Sequence, residues 1–350
     1  MEPDRAGRSA LPGAFYRAQP LLRWESGLLI AAIAVVLLGV DVSSQFLTSG
    51  NLFYLCISVG EVAIMTLPLT FIVITGEIDL SVASTLGLAS ALVGYLWSHG
   101  WPMMAIIPVV LAVGVVTGGF NGLLITRLGL PSLAVTIGTL TLYRGIAVIL
   151  LGPNTISNFP ASYTTIGINP VPHTFLSYSA LVFLILAIVF GVALHFTRFG
   201  RSLYAMGANQ EAAIFAGIRV KRTKTLLFIV SGVVCSAAGI LYTFRLSTAV
   251  QDNGLGLELS VVAIVLLGGV SIFGGTGSII GVVLAVFVFA GLQNALFLTN
   301  FPERALGIVT GGLLLVSVLA PNASSFVRRA REFLRRREAR SRAAAAARRT

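Results

Sequence analysis

Long apolar stretches alternate with short polar breaks through most of the 350-residue sequence. Most of them approach the ~20 apolar residues that a helix needs to cross the hydrocarbon core of a bilayer. The pattern predicts an all-α integral membrane fold of about ten transmembrane helices, near 24–40, 52–75, 78–97, 103–126, 130–151, 176–196, 225–244, 259–273, 279–299 and 304–320. These spans form one transmembrane domain, 24–320, between tails at 1–23 and 321–350.

Basic residues set the predicted orientation of these helices. Of the 24 lysines and arginines, all but three fall in the two tails, in the break at Arg127 or in the segment 197–224. Because positive charge favours the cytoplasmic side of a membrane, we predict that both termini and the segment 197–224 are cytoplasmic. The N-terminal tail lacks the layout of a cleaved signal peptide and is predicted to be a cytoplasmic tail.

The composition supports a membrane protein. Hydrophobic residues make up 56% of the chain and charged residues 11%, against ~25% charged residues in soluble domains. Attraction of the basic C-terminal tail to anionic lipid explains much of the net charge of +11 without a nucleic-acid partner. Cys56 and Cys235 lie in separate apolar stretches and form neither a metal-binding spacing nor a disulfide framework. We therefore expect no metal site.

Few ionisable residues lie at membrane depth, and each is a functional candidate because a charge there costs at least a few kcal/mol. With a rise of about 1.5 Å per residue, Glu61 and Arg144 are both predicted to lie roughly 10–14 Å below the outer boundary. We expect them to form an intramembrane ion pair, which is either structural or part of a transport pathway.

No pattern of residues predicts catalysis. The three histidines are scattered, and no acid–base or metal-binding motif falls within one span. We therefore predict that the chain is not an enzyme. A series of carboxylates through the bilayer, typical of proton-coupled carriers, is also missing from the sequence. An ion-coupled secondary transporter stays open as the alternative, because backbone carbonyls at broken helices can bind sodium.

The segment 197–224 is far longer than the about two to eight residues that usually connect packed helices. It contains NQEAAIFAG at 209–217, a helix-forming stretch followed by a glycine that can end it. A short exposed helix presenting Ala212 and Ala213 fits a groove on a partner, and a solvated connector is the competing interpretation.

A glycine-rich motif, GGTGS, occupies 274–278. It lacks the lysine that follows in a phosphate-binding loop, so it predicts a tight turn between helices. If ATP drives this protein, another chain must bind the nucleotide.

Four segments resemble a known family. They are ITGEIDLSVAS (74–84), GFNGLLITRLGLPSLAVTIGTLTLYRGIA (119–147), TRFGRSLYAMGANQEAAIFAGIRVKRTK (197–224) and ELSVVAIVLLGGVSIFGGTGSIIG (258–281). Together they resemble the ribose-type branch of bacterial ABC importer permeases across residues 50–320. The resemblance implies a multi-pass subunit of the bacterial cell membrane with two inverted five-helix halves, which imports a monosaccharide by alternating access.

The resemblance also implies the partners. These are a second permease subunit of the same or a homologous kind, cytoplasmic ABC ATPase subunits and an extracytoplasmic sugar-binding protein. ATP is then bound by a partner, and this chain needs no cofactor. The GEIDLS form, with Glu77 where many members have glycine, is most similar to rhamnose and autoinducer-2 import permeases. A rhamnose-like methylpentose is the favoured substrate, with ribose, xylose and autoinducer-2 as alternatives.

The motifs of the family carry over residue by residue. Its EAA…G element, which docks on the ATPase, matches Glu211, Ala212, Ala213 and Gly217. Its GxIDLS signature matches Gly76, Asp79, Leu80 and Ser81. Five further polar residues are candidates for lining a passage, although each can instead form a hydrogen bond between helices: Asn121, Thr136, Thr139, Thr141 and Asn294.

Overall fold

The computed structural model describes residues 19–299, 301, 307–317 and 319, with side chains from Trp24 onward. Its regular elements are helices, accompanied in the described residues by two isolated β-bridges. The helices are α1 Gln19–Val42, α2 Ser49–Ile74, α3 Val82–Ser98, α4 Met103–Arg127, α5 Ser132–Leu151, α6 Ala161–Ile168, α7 Tyr178–Phe196, α8 Arg198–Ala208, α9 Gln210–Phe215, α10 Val220–Leu246, α11 Leu257–Leu267, α12 Ile279–Leu298 and α13 Gly307–Ser317.

Each predicted span coincides with one of these helices. Seven of them are long and apolar enough to cross a membrane, namely α1, α2, α4, α5, α7, α10 and α12. Helices α3, α11 and α13 are apolar but shorter. The all-α membrane fold is confirmed, whereas the count of ten spans and their orientation stay predictions. The predicted tails 1–23 and 321–350 lie outside the described residues, except for the start of α1.

Helices α2 and α10, of 26 and 27 residues, form the centre of the bundle. Every residue of α2 from Val59 to Ile74 is buried, as expected for a helix that is apolar on all sides. Helix α10 packs on α2, α3 and α4. Its contact with α4 brings the two backbones together, since a Cβ at Gly118 would meet the carbonyl of Phe228. Small residues thus allow the close approach that association in lipid requires.

A non-helical break and a shortened helix follow each central helix. The first break, 75–81, separates α2 from the 17-residue α3, and the second break, 247–256, separates α10 from the 11-residue α11. Related sequences accompany the two helix starts, DLSV at 79–82 and ELSV at 258–261. Short or interrupted helices at corresponding positions of two halves are typical of transporters, in which they lie near the substrate site.

Candidate functional site

A cavity of about 720 Å³ lies between α2, α10 and α12. Residues three and four apart on a helix share one face, which explains how α2 contributes several side chains to one wall. The polar groups of the lining come from Ser58, Glu61, Arg245, Gln293 and Asn294. Aromatic rings come from Tyr54, Tyr242, Phe297 and Phe301. The cavity therefore combines hydrogen-bonding groups with flat apolar surfaces.

An ion pair crosses this cavity from α2 to α10. Arg245 Nε lies 3.1 Å from Glu61 Oε2 and 3.2 Å from Glu61 Oε1. The Arg245 guanidinium also lies over the Tyr242 ring, 4.9 Å from its centre. Glu61 is only 1% exposed, so its charge needs this partner because an unpaired buried charge is strongly unfavourable.

The predicted pair between Glu61 and Arg144 is wrong. Helix α10 continues to Leu246, beyond its predicted end at 244, and its last turn brings Arg245 to α2. Arg144 belongs to α5, which packs on α3 and α4. Its guanidinium donates to two consecutive carbonyls of the second break, Asn253 O at 2.6 Å and Gly254 O at 2.7 Å. Equal depth in the membrane did not make the two residues neighbours.

A pair of amides ties α2 to α12 beside the cavity. Asn51 and Asn294 each donate from Nδ2 to the other's Oδ1, at 2.8 and 3.0 Å. One turn further along each helix, the rings of Tyr54 and Phe297 stack with their centres 4.8 Å apart. Among the five passage candidates, Asn294 is the one that lines this cavity.

The other four passage candidates do not line this cavity. Asn121 donates to Ser81 Oγ at 2.8 Å, and its own Oδ1 accepts from a tyrosine hydroxyl. Thr136 and Thr139 are buried and donate to backbone carbonyls, while Thr141 is on the exposed face of α5 and donates to Ile137 O at 3.3 Å. Asn121 thus forms hydrogen bonds between elements. Thr139 and Thr141 form hydrogen bonds within α5, whereas Thr136 also donates to a carbonyl of the first break.

The signature motif shapes the first break. Asp79, 3% exposed, accepts hydrogen bonds from the backbone N–H and the hydroxyl of Ser81, at 2.9 and 2.6 Å. Its second oxygen accepts from Ser231 Oγ on α10 at 3.2 Å. Gly76 has a φ of +80°, which favours glycine, and Leu80 is half-buried. The aspartate and serine therefore fix the start of α3 against α10.

Glu77, the remaining residue of the signature, forms an ion pair with Lys224 near the start of α10. Lys224 also donates to Gln210 Oε1 at 2.6 Å. Lys224 is 6% exposed, unlike the neighbouring Lys221, which faces outward. The contact connects the first break to the first residue of α9.

The segment 197–224 is not a loop but forms α8, α9 and the first turn of α10. Gly217, with a φ of +82°, ends α9. Its N–H donates to Ile214 O, and the N–H of the following residue, 218, donates to Ala213 O. This is the Schellman arrangement, so the glycine has its predicted role of ending the helix. Glu211 and Ala212 are exposed, but Ala213 is 3% exposed. Ala213 therefore packs on its own chain and is not free for a partner groove.

The GGTGS motif forms the predicted tight turn, between α11 and α12. Gly275 N–H donates to Ile74 O at 2.9 Å, at the end of α2. The Tyr204 hydroxyl of α8 donates to Gly277 O at 2.7 Å. The turn thus connects α8 to the end of α2.

The model of a family described as the branched-chain amino acid transport system permease component matches residues 51–318. The chain belongs to this permease family. The permease is 33% identical over 314 residues to the autoinducer 2 import system permease protein LsrD of Klebsiella pneumoniae, covering 87% of this chain and 92% of the relative. It is 31% identical over 297 residues to LsrC, an autoinducer 2 import system permease protein of Salmonella choleraesuis, covering 84% of each chain. No solved structure matches the chain.

These relationships confirm the resemblance to bacterial ABC importer permeases, with autoinducer-2 import permeases among the relatives. The protein is a multi-pass permease of the bacterial cell membrane, as predicted. The family is one of transport permeases and not of enzymes. A secondary transporter is not favoured.

Two charged residues of the permease escaped sequence reasoning. The predicted span 225–244 ends one residue before Arg245, so hydropathy leaves that arginine outside the membrane. Lys224 falls in the basic segment 197–224, and its charge alone does not set it apart from the other basic residues there. It is, however, the last charge before the uncharged stretch 225–244. That position, at the start of a long apolar helix, was the available signal.

Proposed function

We propose that this permease subunit imports a small, neutral, hydroxyl-rich solute through the cavity between α2, α10 and α12. The observation that carries this proposal is the composition of the cavity wall. A volume of about 720 Å³ falls within the roughly 300–1,000 Å³ of small-molecule sites. Planar amide, carboxylate and guanidinium groups beside aromatic rings suit a sugar-like ring, which has polar edges and apolar faces.

The ion pair favours a neutral solute over an ion. Glu61 and Arg245 neutralise each other, so the described lining of the cavity offers no unpaired charge to a charged substrate. Hydroxyl groups can donate to the carboxylate and accept from the guanidinium without separating the charges. An ionic solute would have to compete for one partner and leave the other unpaired, which is costly away from water.

Two candidate substrates are favoured by different observations. The GEIDLS motif favours a rhamnose-like methylpentose, and the names of the relatives favour autoinducer-2. Ribose and xylose follow as members of the same chemical class.

The partners follow from membership of an importer family. A separate ABC ATPase binds ATP and drives alternating access, and a second permease subunit and an extracytoplasmic binding protein complete the importer. The permease domain covers 24–320, with both tails cytoplasmic and no cofactor in this chain. Helix α9 meets the ATPase through Glu211, Ala212 and the side chains of Ile214 and Phe215, which are 53% and 91% exposed. Ala213 and Gly217 support that helix from behind and at its end.

Uptake by intact cells tests the proposal. A strain lacking this gene should lose uptake of one labelled solute among rhamnose, autoinducer-2, ribose and xylose, and the wild-type gene should restore it. Asn294→Ala, which removes a hydrogen-bonding group from the cavity, should reduce the restored uptake. Thr141→Val, outside the cavity, is the control. Uptake that continues without the ATPase and stops when ion gradients are collapsed would support a secondary transporter instead.

A further inference from the structure

Lys224 joins three segments of the permease at its predicted cytoplasmic end. The lysine lies near the start of α10 and forms an ion pair with Glu77 in the first break, directly after α2. Its ammonium also donates to Gln210, the first residue of α9, at 2.6 Å. One side chain therefore connects α9, α10 and the end of α2. We call these three residues the Lys224 cluster.

The ion pair of the cluster is largely shielded from water, whereas Gln210 is exposed. The side chains of Lys224 and Glu77 are 8% and 16% exposed. Ion pairs in such surroundings are less screened than surface pairs, and removing one partner leaves an uncompensated charge. A cavity of about 430 Å³ borders the cluster, so side chains of other lengths have room there.

The connections of α9 to the two central helices are unequal. Helix α9 continues into α10 through the four residues 216–219, so α10 is tied to it covalently. Helix α2 is far from α9 in sequence, and the cluster provides a polar link between them. A separate path leads to α2 from α8, through Tyr204 and the 274–278 turn. Helix α10 carries Arg245 of the cavity ion pair at its other end, and α2 carries Glu61 near its middle.

We propose that Lys224, with Glu77 and Gln210, is a positioning residue that makes α2 and α10 move together when α9 is displaced. The inference rests on the proposed function, in which α9 meets the ATPase. Without the cluster, α9 would still move α10 through the covalent chain, but α2 would follow only through its packing on α10 and through the α8 path, and would lag behind. The cavity would then be deformed rather than opened to the other side of the membrane.

Two double variants test this role because neither leaves a charge unpaired. Glu77→Gln with Lys224→Met removes both charges, and Glu77→Lys with Lys224→Glu exchanges them. Gln210 can turn its amide to donate to a carboxylate at position 224. The permease is assembled with its ATPase and binding protein in proteoliposomes, and solute uptake per ATP hydrolysed is measured. Lys221→Gln, an exposed lysine of the same helix, is the matched control.

The neutral double variant should assemble and hydrolyse ATP, but its uptake per ATP should fall by about tenfold, a common size for coupling between sites. The exchanged variant should recover most of that loss, and Lys221→Gln should behave as wild type. Normal uptake per ATP in the neutral variant would overturn the proposal. An exchanged variant that folds and assembles but stays as poorly coupled as the neutral one would overturn it as well.

Two further outcomes are distinguishable. If the exchanged variant does not fold, Lys224→Arg replaces it, since it retains the charge and should keep most of the coupling. A loss as deep as that of the neutral variant would then contradict the proposal. If the wild-type permease neither assembles with the ATPase nor stimulates it, the proposed function is wrong. An intact wild-type complex with unaffected variants instead contradicts the Lys224 cluster alone.

Discussion

The two breaks occupy matching places after long helices, yet different groups hold them. In the first break, several short side chains act together, since Asp79 accepts from Ser81 and Ser231 at 2.6–3.2 Å. In the second break, the long cation of Arg144 binds two consecutive carbonyls. The Asn253 amide adds a hydrogen bond to Ser90 Oγ at 2.7 Å, and a β-bridge joins Ala249 to residue 156. The first break is therefore held by short polar side chains, whereas the second combines neutral hydrogen bonds with one charged residue.

Helix α5 contacts both breaks, which explains why its residues Ser132, Thr136 and Arg144 face inward. Near its start, Ser132 Oγ accepts from the N–H of Ile78 at 3.1 Å, and Thr136 donates to the carbonyl of Ile78 at 3.3 Å. Near its other end is Arg144. The comparison shows that α5 holds the first break with small hydroxyls and the second with a charge.

Removing the Arg144 guanidinium should have the largest effect. Arg144→Gln cannot reach both carbonyls, and each buried acceptor left unpaired costs about 1–3 kcal/mol, so we expect a loss of about 3 kcal/mol or more in unfolding free energy. Unfolding of the detergent-solubilised permease by a denaturing detergent measures this change. Arg127→Gln, at the exposed end of α4, is the control and should change stability by less than about 0.5 kcal/mol. Equal effects of the two variants would contradict a special role for Arg144.

Alanine at the glycines of the two breaks should give a smaller, unequal effect. Gly76 and Gly254 have φ values of +80° and +74°, so alanine is strained at both by about 1 kcal/mol. At Gly254 the added Cβ would also lie 2.7 Å from Leu86 Cδ2, whose side chain is fully buried. At Gly76 the nearest atom is Phe273 O at 3.7 Å, an ordinary contact.

We therefore expect Gly254→Ala to cost about 1–3 kcal/mol more than Gly76→Ala, the usual range for overpacking. Thermal unfolding midpoints of the two purified variants give the comparison. The same midpoint for both would mean that the second break is packed no more tightly than the first.

Neutralising the acidic residues at the starts of α3 and α11 should have the smallest effect on stability. The effect should again differ between the two breaks. Asp79 uses both carboxylate oxygens, whereas Glu258 Oε2 is buried without a hydrogen-bond partner among the described residues. Asp79→Asn should thus cost about 1 kcal/mol or more, and Glu258→Gln less than that. Unfolding in the same detergent series ranks the two variants, and the reverse ranking would contradict the argument from their hydrogen bonds.

The positions of the membrane helices could be predicted from sequence because the hydropathy of a segment depends only on the residues of that segment. The length of an apolar stretch is independent of which helices become neighbours. The end of α9 was also predictable, since the conformation of Gly217 is a local property of the chain. Helix α8 was missed, although Thr197 provides an N-cap by accepting from Gly200 N–H at 3.2 Å.

Pairing across helices could not be predicted in this way. The predicted depth places Glu61 and Arg144 at the same level of the membrane. It does not indicate to which side of its helix each side chain points, or which helices are neighbours. Two extra residues at the end of α10 were enough to supply Arg245 instead. Hydroxyl groups such as that of Thr139 bond to their own helix, so a polar residue in a span does not by itself indicate a passage.

The ion pair of the cavity also bears on how the permease responds to membrane voltage. An isolated charge carried through the field gains or loses about 2.3 kcal/mol for each 100 mV. Glu61 and Arg245, held 3.1 Å apart, carry opposite charges through nearly the same potential, so the work on one cancels most of the work on the other. In the proposed alternating-access cycle, the cavity can therefore present its polar groups to either side of an energised membrane at nearly the same cost. The electric field alone then gives little direction to transport, which the proposed ATPase would have to supply.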